Sequence, residues 1–465
     1  MRFPFRLSAL RPAPIRPDVR KLTGPVLVEV FFVNLIGSLG AIMASHLGTE
    51  AVSAIGNVEA FTLVVNALFS ALGVGATVVV AQALGAGRHE RAADAGRQAL
   101  ASGAVMVLGV SALTALGGHA LLDTLYPGTG PVVREHMWEY LMFACATYPL
   151  TAVTLLACGV QRGAGNTRLA MKVNTLVTVC DVALGYLLIY GVELQTGWFS
   201  LSIPRLEIVG AGLAQWLARL VGVAFLVFVW QRDGLLFDIR HWRGFRFEMP
   251  LLRALYAIGI PASVESFAFN GGKLLVQVIV ASLGPAAVAA NYIAFSAVSL
   301  MNIPGNALSV ANTTLVGRDV GRGDEAAAER TMRYVLRLGW GVTAIIGLAF
   351  TPLVPLVLKL YGAAPDVAEH ARVLMWLNCA MLVVFPTTFI LPNGLRGAGD
   401  AKFAMLTTLI GMVAFRILLG YVFGVVFGWG IVGVWLGMYT DWLLRSALYL
   451  WRLRSGRWRG RALLA

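Results

Sequence analysis

The chain of 465 residues is 58% hydrophobic and only 13% charged, with a mean hydropathy of +0.74 and a formal net charge of +13. That little polar surface cannot solvate a soluble protein of this length, so a polytopic membrane protein is expected. The positive charge raises nucleic acid as a partner, which the placement of the basic residues argues against.

Residues 1–21 mix Pro4, Pro12, Pro14 and Pro17 with Arg2, Arg6, Arg11, Arg16, Arg20 and Lys21. They contain neither an apolar stretch nor a cleavage site, so they read as a basic cytoplasmic tail and not a signal peptide. Apolar helical segments are predicted near 22–47, 52–84, 91–118, 132–161, 167–191, 210–230, 251–282, 286–317, 326–358, 367–395, 402–425 and 430–451. These twelve divide into an N-lobe at 22–230 and a C-lobe at 251–453. Between them, 231–250 interleaves Arg232, Arg240, Arg243 and Arg246 with Trp242, Phe245 and Phe247, the pattern of an amphipathic linker lying along cytoplasmic headgroups. A second basic tail occupies 454–465.

Of the 37 Lys and Arg, 29 fall in the two tails and the even-numbered connections. Only Arg134, Arg205, Lys359 and Arg372 fall in the odd ones. The positive-inside rule then puts both termini in the cytoplasm of a multi-pass inner-membrane protein, and the asymmetry accounts for the net charge without nucleic acid. Cys145, Cys158, Cys180 and Cys379 lie in apolar runs with no CxxC, and the six His show no metal-ligand spacing. No metal or other cofactor is expected.

The chain repeats itself. Pro25 and Pro261, Glu29 and Glu265, and Asn34 and Asn270 are each 236 positions apart. The same offset carries Leu47-Gly48 to Leu283-Gly284, Asn66 to Asn302, Gly85 to Gly321, Gly87 to Gly323 and Arg97 to Arg333. A register held over some seventy residues marks a duplicated fold. Six segments per copy return each lobe to its starting side, so the repeats are parallel, related by an axis along the membrane normal.

Two further motifs also occur in pairs. Gln161-Arg-Gly-Ala-Gly-Asn-Thr-Arg168 follows the fourth segment, and Leu395-Arg-Gly-Ala-Gly-Asp-Ala-Lys402 follows the tenth. Both predict tight cytoplasmic turns in which glycine permits positive φ and Arg or Lys anchors the turn at the headgroups. With Thr314-Leu-Val-Gly-Arg-Asp-Val-Gly-Arg-Gly-Asp324, Gly433-Val-Trp435 and Arg454-Ser-Gly-Arg-Trp458, the chain resembles the multidrug and toxic compound extrusion (MATE) transporters. The resemblance implies an all-α, V-shaped fold of twelve helices in two pseudo-symmetric lobes. It also implies an antiporter that exports cationic or amphiphilic organic compounds against inward proton or sodium flow. A flippase for lipid-linked precursors, of similar fold, is the alternative. A membrane-embedded enzyme is disfavoured, since HExxH and GxSxG are absent.

Ionisable side chains deep in the segments are Glu29, Asp181, Arg219, Glu265, Lys273, Arg416, Asp441 and Arg445. Each costs at least ~2.5–3.5 kcal/mol at the bilayer centre unless it meets a partner or a cavity. Glu265 is the leading coupling residue, because a desolvated carboxyl can hold a proton and give it up to an arriving cation. The resemblance supports it, since many members carry an acid in the seventh helix. The competing reading is a helix-to-helix hydrogen bond. Its repeat mate Glu29 is either a second coupling acid or an interfacial one.

Matching depths predict two structural ion pairs, Asp181–Arg219 and Arg416–Asp441, with Arg445 sharing Asp441 at i+4; Asp181 is alternatively a coupling acid. Asn34, Asn66, Asn270 and Asn302 are candidates for interhelical glue or cavity lining. Lys273 either pairs with Glu265 or repels a cationic substrate. The acids of some family branches align here with Gly40, Gly185 and Phe385-Pro386, departures that leave isolated carboxyls better suited to protons than to sodium. The expected protein is a monomer in the lipid bilayer, coupled to protons and taking small cationic organic substrates.

Overall fold

The computed structural model describes residues 16–45, 47, 49–196, 199–231 and 245–463, with no side chain described at 34–42, 44–45, 49 or 192–203. Among the described residues the regular structure is helical except for one antiparallel hairpin, β1 (Val192–Thr196) with β2 (Phe199–Ile203), pairing Val192 with Ile203. The helices before it are α1 (Pro17–Ser45), α2 (Thr49–Gly85), α3 (His89–Leu125), α4 (Pro131–Gly163) and α5 (Thr167–Tyr190). After it come α6 (Glu207–Gln231), α7 (Met249–Ser282), α8 (Pro285–Met301), α9 (Ile303–Gly321), α10 (Glu325–Phe350) and α11 (Val354–Leu360). The last are α12 (Pro365–Met381), α13 (Phe385–Gly397), α14 (Ala401–Ile410), α15 (Leu418–Tyr421) and α16 (Gly430–Arg454). Among the described residues, eight helical stretches and two bent helix pairs are long and apolar enough to cross a bilayer. With α1 and α16 they make up the twelve expected segments. Large apolar side chains such as Leu116 (88% exposed) and Leu360 (78%) stand open on the outside, a surface that only lipid can cover.

Where the sequence predicts unbroken segments, the second repeat breaks and the first does not. α8 and α9 meet at 46°, and α12 and α13 at 51°. Pro304 and Pro386 sit at the start of α9 and α13, where a missing N–H and a ring clash end the preceding helix. The aligned positions in the first repeat are Leu68 and Ala152, so α2 and α4 run straight through. Pro352 and Pro355 similarly place a 3₁₀ turn between α10 and α11. α1 and α7 continue as single helices through Pro25 and Pro261.

The residues cluster into two compact units. One holds Val28–Val80 and His89–Gly259; the other holds Ile260–Ala465 with Met1–Leu27 and Ala81–Arg88. In the first, α5 packs on α6, and α4 packs on α3 and α6. In the second, α9 packs on α10 and α13, and α8 packs on α12. The two use the same joint. Thr77 Oγ1 donates to the carbonyl of Gly159 across α2 and α4 (2.7 Å), and Thr313 Oγ1 to the carbonyl of Asn393 across α9 and α13 (3.1 Å). A Cβ on Gly163 would lie 2.5 Å from the carbonyl oxygen of Thr77, and one on Gly397 would lie 2.6 Å from that of Thr313. The first glycine of each Arg-Gly-Ala-Gly motif thus permits close helix approach. The second, Gly165 or Gly399, turns the chain at φ 78° or 96°.

Candidate functional site

The arginine of each Arg-Gly-Ala-Gly motif points to a glutamate in the first helix of its repeat. In the C-terminal unit Arg396 Nη2 lies 2.5 Å from Glu265 Oε2, and Thr408 Oγ1 donates to Glu265 Oε1 at 2.9 Å. In the N-terminal unit Arg162 pairs with Glu29, and Asn174 Nδ2 donates to Glu29 Oε1 at 2.6 Å. Glu29 and Glu265 are repeat mates; Arg162 and Arg396 hold the same place in their motifs, and Asn174 and Thr408 lie eight residues after Asn166 and Asp400. Duplication has therefore preserved a carboxylate, a guanidinium and a polar donor as a set.

This geometry changes two expectations. The motif arginines do not serve as headgroup anchors; they turn inward, because an unpaired buried carboxylate costs more than an arginine withdrawn from the interface. Lys273 does not pair with Glu265, since Arg396 already occupies that acid. Glu29, 5% exposed, is buried against Arg162 and Asn174.

Glu265 opens onto a cavity of about 160 Å³ lined also by Ser266, Phe269, Asn270, Thr388, Phe389, Pro392, Asn393, Arg396 and Arg445. Its lining combines an acid, two arginines, amides and aromatic faces, which suits an amphiphilic aromatic guest. Asn270 lines it while donating to its own helix at the carbonyl of Ser266 (2.9 Å). The carboxamide oxygens of Asn66 and Asn302 are buried without hydrogen-bond partners, so neither oxygen forms the interhelical link expected of it. The side chain of Asn34 lies outside the described residues, as does most of the predicted linker, at 232–244.

Farther along the second unit, Asp441 forms ion pairs with both Arg416 (3.0 Å) and Arg445 (2.7 Å), with none of its own side chain exposed. Arg416 stands on a π-helical stretch, Gly411–Ile417, and Gly411 lacks the Cβ that would collide with Asp441 Oδ1. The matching pair in the first unit does not close. Among the described residues no ion pair within 4 Å joins Asp181 to Arg219, although each feels the other's charge. Glu59, absent from the sequence candidates, is a second carboxylate whose charge reaches both residues. Glu59 itself is fixed by the hydroxyl of Tyr140 (2.7 Å) and by Gln215 Nε2 (3.2 Å). Glu59 lies in α2, and the fold brings α4 and α6 round it.

The MatE family model matches residues 25–187 and again 261–422, two matches that begin 236 residues apart. The chain belongs to the MatE family. It is similar to a protein named as a probable multidrug resistance protein NorM from Thermotoga maritima, at 27% identity over 97% of this chain and 94% of that one. It is also similar to a protein named FAD transporter from Shewanella oneidensis, at 26% identity over 78% of each. A crystal structure of a MATE protein in complex with MaD3S has the same fold, with a TM-score of 0.86 and 19% identity, over 98% of this chain and all of that one. This MatE protein is thus a multi-pass membrane protein of the multidrug efflux transporter family, with the two-lobe, twelve-helix layout of its fold.

Proposed function

We propose that this MatE protein is a proton-coupled antiporter that exports cationic or amphiphilic organic compounds across the cytoplasmic membrane, with both termini inside. The observation that carries the reading is Glu265, a buried carboxylate held by Arg396 and Thr408 at the edge of a cavity sized for part of an aromatic molecule. Here the acid is neutralised by a guanidinium. A proton delivered to Glu265 replaces that partner and frees Arg396, and an organic cation reaching the deprotonated acid competes with both. One carboxylate therefore exchanges three partners, and the two neutralising cations that can cross the membrane are the proton and the substrate. The Glu29–Arg162 pair offers the same exchange in the other repeat. Glu59 and Asp181, two acids facing the single Arg219, supply a further attraction for a cation in the N-terminal unit.

The driving force is adequate. One charge moving through ~100 mV yields ~2.3 kcal/mol. At ~1.4 kcal/mol per tenfold, this sustains a gradient of about fifty-fold for an exchange that moves one net charge, whereas one proton traded for one monovalent cation gains only from the pH difference. Sodium is disfavoured as the coupling ion because it needs several converging oxygen ligands, whereas Glu265 has its two oxygens committed to a guanidinium and a hydroxyl.

The test is dye export from cells lacking other pumps. Extrusion of ethidium is expected to stop when a proton ionophore collapses the pH gradient and to be unchanged when sodium is withdrawn. Extrusion that survives the ionophore and stops without sodium would assign the coupling to sodium.

A further inference from the structure

The interior of the C-terminal unit carries more positive charge than its acids neutralise. Arg416 and Arg445 share the single carboxylate Asp441, and Glu265 is occupied by Arg396. Lys273 has no ion-pair partner among the described residues; the charge it feels is Arg416, another cation. These three cations, two more than their one acid neutralises, surround one ring. Lys273 Nζ lies 4.8 Å from the centroid of Phe269, with the guanidinium carbons of Arg416 and Arg445 at 5.3 and 5.9 Å. Three cations around one phenyl ring repel each other, and cation–π attraction of ~0.5–2 kcal/mol per contact does not remove the cost of unmatched charge within a bilayer.

Two further features mark a built site. Arg416 is only 6% exposed, yet its Nε has no hydrogen-bond partner. It is also carried by a π-helical stretch, a geometry that is rare and concentrates at functional positions. Of the three cations Arg445 lines the cavity with Phe269 and Phe389, while Lys273 and Arg416 stand beside it against the Phe269 ring.

We propose that this cluster binds the anionic group, a phosphate or carboxylate, of an amphiphilic aromatic substrate, with Lys273, Arg416 and Arg445 as its positive partners. The inference rests on the export reading above and widens it, since a pump for cations alone has no use for this charge. A guanidinium presents paired donors to such an anion, and Lys273, at the exposed edge of the cluster, meets it first. An anionic lipid headgroup offers the same chemistry, so the experiment must separate the two sources.

The probe is flavin mononucleotide, compared with riboflavin, the same ring without the phosphate. Binding is measured by fluorescence anisotropy with the protein in phosphatidylcholine nanodiscs. The mononucleotide is expected to bind at least tenfold more tightly than riboflavin. Lys273→Gln should reduce that preference to under about threefold, and Lys273→Arg should retain it. Repetition in nanodiscs containing phosphatidylglycerol distinguishes the sources: a fall in mononucleotide affinity identifies lipid as the competing occupant, and an unchanged affinity identifies a free solute. Equal affinity for the two flavins, or a preference untouched by Lys273→Gln, would overturn the proposal. Ethidium extrusion by the unaltered protein in proteoliposomes reports separately on the transport reading. Extrusion without flavin discrimination rejects the anion site alone, whereas discrimination without extrusion rejects the export reading alone.

Discussion

Replacing Glu265 with glutamine is expected to abolish ethidium extrusion in a pump-deficient bacterium, while the protein still reaches the membrane. Glutamine keeps the side-chain volume and can still accept the Thr408 hydroxyl, so packing around α7 and α14 is preserved. What is lost is the negative charge. Arg396 then lacks its counter-ion permanently, and neither a proton nor an organic cation has an acid to occupy. The dye therefore accumulates to the level of cells without the transporter. Extrusion at the normal rate by this variant would remove Glu265 from the coupling step.

The second large effect is on stability and falls on Asp441. Its two arginines are 7% and 4% exposed, and among the described residues it is the one carboxylate paired with them. Asp441→Ala leaves two guanidinium groups buried without a counter-charge, for which breaking even one buried pair costs about 3–5 kcal/mol. The melting temperature in detergent should fall by many degrees. Asp441→Ala combined with Arg416→Met should recover part of the loss, because the second change removes one stranded charge. A single variant that melts with the unaltered protein would mean that water or lipid already screens these arginines.

How much of this could be read from sequence depends on what each residue's role requires. The duplication needed only identities at a fixed spacing, and the contacts of Thr77 and Thr313 repeat it in three dimensions. The Arg416–Asp441–Arg445 cluster was readable because charges at matching depth on neighbouring helices have few other partners. Arg162 and Arg396 were misjudged for a physical reason. A basic residue beside a cytoplasmic turn ordinarily faces headgroups, and nothing local reveals a buried glutamate on a helix far away in sequence. Glu59 was missed in the same way, since its significance comes from Tyr140 and Gln215 and not from its neighbours in the chain. The bends at Pro304 and Pro386 were in plain view, but Pro25 and Pro261 sit inside helices that run on, so proline alone did not say which helices would break.

The account stands most directly on whether substrate displaces a proton from Glu265. Purified protein, first acidified so that a proton has replaced Arg396 at Glu265, then titrated with ethidium in a lightly buffered solution with a pH indicator, measures that displacement. Proton release on ethidium binding, absent in Glu265→Gln, is the predicted result. Binding of the dye with no proton released, or with equal release from both proteins, would contradict it.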